Sequence, residues 1–289
     1  FSVGSPGEVD LFFSRRIGIG TAGDLVPIIG GARISGKVGQ TNVGFLSMFT
    51  DDVEAAGIEK NNYTVGRVNH DFQGTRSSLG GIFINRAGLG AMDDDYNRVF
   101  AIDGKWGIGN KAEVTGFVAK SSTPGIEEND HAFKLLANYN WNGWDLRAGY
   151  TEVGEGFNPE VGFLQRTAFR KPEFLIWKAQ RLKNMGNLLE IRPHVSYRGY
   201  WNFDDQLITG FLHVDNHWEF KSGFEVHTGI NFTTERVVED FNISDVTVPM
   251  GNYKNEELQL IIITNPNTAF SFDTRTIIGG YFNGHQISN

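Results

Sequence analysis

A two-residue alternation between apolar and polar side chains runs through most of this chain and leaves few folds open. Successive side chains on a β-strand point to opposite faces, so alternation marks a strand with one apolar face and one wet one. Phe133, Leu135, Ala137, Tyr139 and Trp141 share one face, opposite Lys134, Asn138 and Asn140. After Asn142-Gly143, the set Trp144, Leu146, Ala148 and Tyr150 stands against Asp145, Arg147, Gly149 and Thr151. An Asn-Gly pair between two such runs signals a two-residue hairpin. That turn pairs Trp141 with Trp144, Tyr139 with Leu146, Ala137 with Ala148 and Leu135 with Tyr150. On the other face it pairs Asn140 with Asp145 and Asn138 with Arg147. A slip of one residue would mix the faces, so turn and pattern support each other.

The same reading gives about fourteen strands, each near the ten-residue length that crosses a bilayer when tilted. They fall near 30–40, 42–50, 63–72, 77–86, 96–106, 111–120, 133–141, 144–152, 172–183, 188–198, 206–220, 224–234, 252–264 and 269–282. Ile208, Leu212, Val214, Trp218 and Phe220 form one apolar face, against His213, Asp215, His217 and Glu219. Phe224, Val226, Ile230 and Phe232 form the next, against Glu225, His227, Asn231 and Thr233. Connections alternate in length. Short ones fall at 41, 73–76, 107–110, 142–143, 184–187, 221–223 and 265–268. Long ones fall at 51–62, 87–95, 121–132, 153–171, 199–205 and 235–251. Short turns at one end and long loops at the other are the rhythm of an up-and-down outer-membrane barrel, and aromatic residues near strand ends fit its interfacial girdles. A soluble β-sandwich also alternates, but it has no reason to keep that rhythm.

Composition narrows the field further. No apolar run approaches the length of a membrane-spanning helix, the longest aliphatic stretch being Leu260 to Ile263. Residues 51–60 carry the only short helix-like pattern and read better as a loop. The absence of cysteine fits an exported chain without disulfides. A net charge of −8 argues against nucleic acid as a partner. The expected fold is therefore all-β, an antiparallel up-and-down outer-membrane β-barrel with a lead-in strand and loop over 1–29 and barrel hairpins over 30–289. Pro193 cannot donate to a ladder and predicts a bulge or ladder end. Phe1 is preceded by no signal peptide, and the last residues Ile287-Ser288-Asn289 lack the terminal aromatic usual in such barrels. Together these lead us to expect an incomplete fragment.

No catalytic constellation emerges. Gly18, Gly20 and Gly23 spell G-x-G-x-x-G, but Pro27 and Gly30-Gly31 follow and no helix opens, so these are loop glycines. His213 and His217 lie about 13 Å apart along a strand and read as polar wall residues. The remaining histidines look scattered, so neither a metal nor a cofactor is expected. Asp93, Asp94 and Asp95 lack the spacing of a calcium loop and read as a solvated tip. Glu152, Glu155 and Glu160 are loop acids from which a hydrolytic pair could be picked, although loop spacing sets no distance between them. Arg15, Arg16, Arg33, Lys37, Arg67, Arg76 and Arg86 fall in or beside strands. Ionisable groups at membrane depth face the lumen or pair with one another. Bracing ion pairs are the plainer reading of this cluster, and an eyelet for anionic or sugar solutes the functional one.

Several stretches carry a resemblance. They are Phe12-Phe13-Ser14-Arg15-Arg16-Ile17-Gly18, Pro27 to Lys37, Asn62-Tyr63-Thr64-Val65-Gly66-Arg67-Val68, and Phe157-Asn158-Pro159-Glu160-Val161-Gly162-Phe163. Together they resemble the barrel region of domain-of-unknown-function family 5916, most clearly over 10–170. The resemblance implies a barrel that usually follows an N-terminal carbohydrate-binding module similar to family 9. That module is absent here. The expectation is a non-enzymatic barrel of the bacterial outer membrane, a pore or a platform for such a module. Its partners would be outer-membrane lipid and oligosaccharides or small solutes. A carbohydrate-active hydrolase or glycan-binding protein using the long outer loops is the alternative.

Overall fold

The computed structural model describes residues 1, 3–20, 23–90 and 94–289. Among them the regular structure is antiparallel β-strand, with two single-turn 3-10 helices, Ser14–Arg16 and Glu54–Ala56, and no α-helix. The chain divides into two compact units, 1–136 with 151–169, and 137–150 with 170–289.

The first unit contains β1 (Ile28–Val38), β2 (Thr41–Thr50), β3 (Asn61–Asp71), β4 (Ser78–Gly88), β5 (Tyr96–Ile108), β6 (Ala112–Ser122) and the first half of β7 (His131–Trp141). From β1 to β6 each strand pairs antiparallel with the next in the chain. The alternation read from the sequence becomes an alternation of burial. On β5, Asn97, Val99 and Ala101 are buried, while Ile102 is 64% exposed. On β6, Phe117, Ala119 and Ser121 are buried, while Val118 is 64% exposed.

The described residues of 1–27, together with 153–169, cover the buried face of this unit. Gly4–Ser5, Val9–Asp10 and Phe163–Leu164 pair as a three-stranded sheet, with Ser5 and Leu164 both flanking Val9. Val3, Val9, Leu11, Ile17, Val153, Phe157, Val161 and Phe169 are buried with the strand residues. Polar groups fasten the cover to the strands. Lys134 Nζ donates to Ser5 Oγ at 2.9 Å and to Glu8 Oε2 at 3.1 Å, and Asn97 Nδ2 donates to the Asn158 carbonyl at 2.7 Å. The sequence reading expected 153–171 as a long outer loop; its apolar residues instead draw it onto the strands.

The second unit begins within the β7–β8 hairpin. It continues with β8 (Trp144–Val153, whose last residues belong to the first unit), β9 (Phe169–Lys178), β10 (Leu188–Trp201), β11 (Leu207–Phe220) and β12 (Glu225–Val237). Then come β13 (Gly251–Ile263), β14 (Asp273–Tyr281) and β15 (Gly284–Ser288). From β9 to β15 pairing again follows chain order. Asn142 (φ 51°) and Gly143 (φ 76°) both adopt the left-handed backbone that a two-residue hairpin needs. Arg147 Nε donates to Asn138 Oδ1 at 3.1 Å, the cross-strand partner that the turn predicts. Opposite Pro193 the β9–β10 ladder lapses between Trp177↔His194 and Gln180↔Ile191. The Ala179 N–H donates to the Gly143 carbonyl instead, at 2.7 Å.

Several boundaries differ from the sequence reading, among them the end of β9 at Lys178, not 183, and the 202–206 connection, shorter than expected. Residues 269–272 lie outside β14, with Phe270 exposed, so the 264–272 connection is longer than expected and the length rhythm blurs in this unit. And β15 folds back on β14 through Phe282 (φ 50°) and Asn283, a hairpin that the sparse apolar content of Gly284–Ser288 does not announce.

Gly143 gives a test of the hairpin. An added Cβ would sit 2.3 Å from the Ala179 carbonyl oxygen, whereas at Gly109 (φ 55°) it would meet nothing within 4 Å. Gly109→Ala should cost about 1 kcal/mol from its left-handed backbone alone, and Gly143→Ala about 2 kcal/mol or more. Chemical unfolding of the two variants measures the difference, and equal losses would remove the contact between this turn and Ala179.

Candidate functional site

The densest set of titratable side chains lies on the polar face of β10, β11 and β12. Along β10 this face carries Glu190, Arg192, His194 and Ser196; along β11, Glu219, His217, Asp215 and His213; along β12, Glu225, His227, Gly229 and Asn231. Register lays them side by side. Arg192 faces His217, which faces His227; His194 faces Asp215, which faces Gly229; Ser196 faces His213, which faces Asn231. Directly opposed residues on one face are near neighbours, so four of the seven histidines converge. The His217 and His227 rings stack with centroids 3.5 Å apart, and His194 lies 5.1 Å from His213 and 5.0 Å from His217. Trp177 of β9 stacks on His194 at 4.4 Å.

Two subclusters differ in chemistry. At one end, Glu190, Glu219 and Glu225 would repel one another; one guanidinium, Arg192, reaches all three, and Arg181 adds a second contact to Glu190 at 3.3 Å. Arg192 donates to Glu190 at 2.7 Å, to Glu219 through a short contact, and to Glu225 at 3.5 Å. Toward the middle, Asp215 is only 4% exposed. Gly229 stands opposite it, and a Cβ there would come within 2.9 Å of its carboxylate. Asp215 thus reaches past β12 to Gln259 of β13, whose Nε2 donates to Oδ2 at 3.2 Å; Gln259 Oε1 in turn accepts from Arg275 at 2.9 Å.

The basic residues singled out in the sequence do not share one site. Arg86 is ion-paired with Asp95 at 2.6 Å and Glu160 at 2.5 Å, and donates to Asn61 at 2.9 Å. Arg67 pairs with Asp103 at 2.7 Å, Lys37 with Asp71 at 3.4 Å and Arg76 with Glu113 at 3.3 Å. Arg33 lies 5.2 Å from the Phe1 ring centroid. Arg15 and Arg16 are exposed on the Ser14–Arg16 turn, Arg15 lying 6.0 Å from the Phe13 ring. Ion pairing thus braces Lys37, Arg67, Arg76 and Arg86, while strand-borne Arg33 rests on an aromatic ring. Of the loop acids, Glu152 meets His131 at 2.9 Å, Glu160 is held by Arg86, and Glu155 is exposed. Asp93 lies outside the described residues. Asp94 is exposed, as a solvated tip requires, whereas Asp95 is engaged by Arg86. Gly18, Gly20 and Gly23 lie in a turn where Gly20 N–H bonds the Asp24 carbonyl, and no α-helix follows.

The histidines correct the expectation of a scattered set. His213 and His217 do fall in separate groups, as their spacing on one strand requires. The partners come from adjacent strands. Pairing the 213–219 and 225–233 faces through the 221–223 turn would have exposed this, just as Asn142-Gly143 did for its own hairpin. No protein-family model, no curated protein and no solved structure matches this chain.

Arg192 is the electrostatic hinge of the cluster. Arg192→Ala should lower stability by about 2 kcal/mol near neutral pH, below the roughly 3–5 kcal/mol of a fully buried pair because the side chain is partly exposed. Adding Glu219→Gln and Glu225→Gln removes most of the repulsion among the carboxylates, so the triple variant should recover part of that loss. Unfolding curves of the two variants decide this, and a triple variant no more stable than Arg192→Ala would assign Arg192 to packing alone.

Proposed function

We propose that this chain forms the wall of a non-enzymatic β-barrel in the bacterial outer membrane, of the kind found in family 5916. In this reading it acts chiefly as a membrane platform. One observation carries the reading: on β11, β12 and β13 of the second unit the large apolar side chains face out while hydrogen-bonded polar ones are buried. On β13, Leu258 and Leu260 are 62% and 44% exposed, while Gln259 between them is 7% exposed. Val214 and Trp218 flank the polar row of β11, and Ile230 and Phe232 that of β12, all four exposed. A water-soluble sandwich has the reverse need, because exposed aliphatic strands forgo about 25 cal/mol for each Å² left in water. Lipid on the apolar face removes that penalty.

The exposed tryptophans Trp106, Trp141, Trp144 and Trp218 each lie beside a short connection, the position of an interfacial girdle. Within the first unit, the described residues of 1–27 together with 153–169 cover the buried face of the strands, which favours a platform over a wide aqueous pore. Support for a loop hydrolase is weaker, since Glu152 and Glu160 already serve in ion pairs. Oligosaccharides enter this proposal through the family resemblance alone.

A depth-dependent substitution separates lipid from water. Leu258→Arg, near the middle of β13, should cost about 2–4 kcal/mol when the chain is folded in bilayers. On a soluble sheet an exposed Leu→Arg change stays within about 0.5 kcal/mol. Refolding into phospholipid vesicles and unfolding with denaturant gives the value. A wild-type chain that stays dispersed without detergent, together with a negligible effect of Leu258→Arg, would sink the membrane reading. Single-channel recordings of the inserted chain test pore against platform, the platform predicting little or no conductance.

A further inference from the structure

We propose that His194, His213 and Asp215 form a binding site for one divalent first-row transition-metal ion of the zinc class. All three side chains belong to β10 and β11 of the second unit, so the site stands whether or not the sheet spans a membrane.

The first argument is distance. One ligand atom from each of the three residues lies within 4.8 Å of the others. Bonds of roughly 2.0–2.1 Å in tetrahedral geometry place neighbouring donor atoms about 3.3 Å apart. His213 Nε2 and Asp215 Oδ2 are 3.4 Å apart.

The second argument is which ring nitrogens carry lone pairs. His194 Nδ1 lies 3.2 Å from the Arg192 carbonyl, which accepts and never donates, so Nδ1 carries the proton. Asn231 Nδ2 donates to Glu257 Oε2 at 3.1 Å. That fixes the amide orientation, so Asn231 Oδ1 accepts from His213 Nδ1 at 2.6 Å. In their neutral forms both rings thereby keep Nε2 as the electron-pair donor. Metal-bound histidines are oriented in the same way, by an acceptor on the opposite nitrogen. Trp177 stacks against His194 and limits its rotation.

The third argument is the carboxylate. Asp215 Oδ1 is buried with no hydrogen-bond partner among the described residues. Its one ion-pair partner there is His213. A buried carboxylate needs a cation, and with His213 neutral two acceptors confront each other at 3.4 Å, so a proton or a metal ion must lie between them. A metal ion between them satisfies both. Two imidazoles and one carboxylate suit zinc and leave a fourth position for water or a solute. The neighbouring group of His217, Glu225 and His227 is less suited: Arg192 already engages Glu225, and the two rings stack face to face rather than converging on a point.

The test uses the full chain, refolded in detergent, stripped with a chelator and titrated with Zn²⁺ by equilibrium dialysis. We expect one ion per chain, and with Co²⁺ the intense visible bands of a low-coordinate nitrogen–oxygen site. His213→Ala and Asp215→Asn should each weaken binding by about 100-fold or more. Asn231→Leu, which does not touch the ion, should weaken it by about 10–100-fold. His131→Ala, in the first unit beside Glu152, should leave binding unchanged. The cobalt spectrum needs no variant, so it reports even if a substitution prevents folding. Absence of stoichiometric Zn²⁺ and of cobalt bands in the wild-type chain would reduce His213 and Asp215 to an imidazolium–carboxylate pair and overturn the proposal. So would binding that is lost with His217→Ala or His227→Ala but survives His213→Ala.

Discussion

Cross-strand register governs this protein. Once neighbouring backbones are laddered, the partners of every side chain are set, because a residue meets the one opposite it and little else. The β15 of the fold shows the constraint at its weakest, a short strand held by one neighbour, Asp273–Tyr281. At its strongest, β10 to β13 run in long ladders with irregularities confined to the ends of β10. The polar network lies on those strands.

The two units satisfy their buried polar faces by different means. In the first, a covering of residues 1–27 and 153–169 brings its own apolar core and ties down strand polar groups one by one, as Asn158 does with Asn97 and Ser121. In the second, side chains on neighbouring strands satisfy one another. Arg192 gathers three glutamates, and Gly229 yields its side-chain space so that Asp215 can reach Gln259. Such networks are stable only when complete, because each unmatched group keeps its desolvation cost. Asp215 Oδ1 is one of the buried atoms left unmatched, and the other oxygen of that carboxylate lies 3.4 Å from His213 Nε2.

The membrane reading and the metal reading rest on opposite faces of the same strands. Leu258, Leu260, Ile230 and Phe232 supply the first; Asp215, His213 and His194 supply the second. Period-two geometry keeps the two sets apart, so a change on one face leaves the chemistry of the other in place.

Strand existence, strand order and face assignment were legible from alternation and turn chemistry alone. Asn142-Gly143 specified its hairpin, down to the Asn138–Arg147 contact, and Pro193 marked the lapse in its ladder. These are local properties, written in neighbouring residues. The fate of the 153–169 segment was not legible, because a loop's destination depends on which apolar surface it finds, and Phe157 and Val161 found the covered face of the first unit. Nor was the histidine cluster. Its members are close in space through β10, β11 and β12 together, and only the register of three strands turns residues 194, 213, 215, 217 and 227 into neighbours. The sequence by itself determined the alternating sheet. The tertiary structure decided which polar residues meet, since lateral pairing, not chain separation, sets their distances.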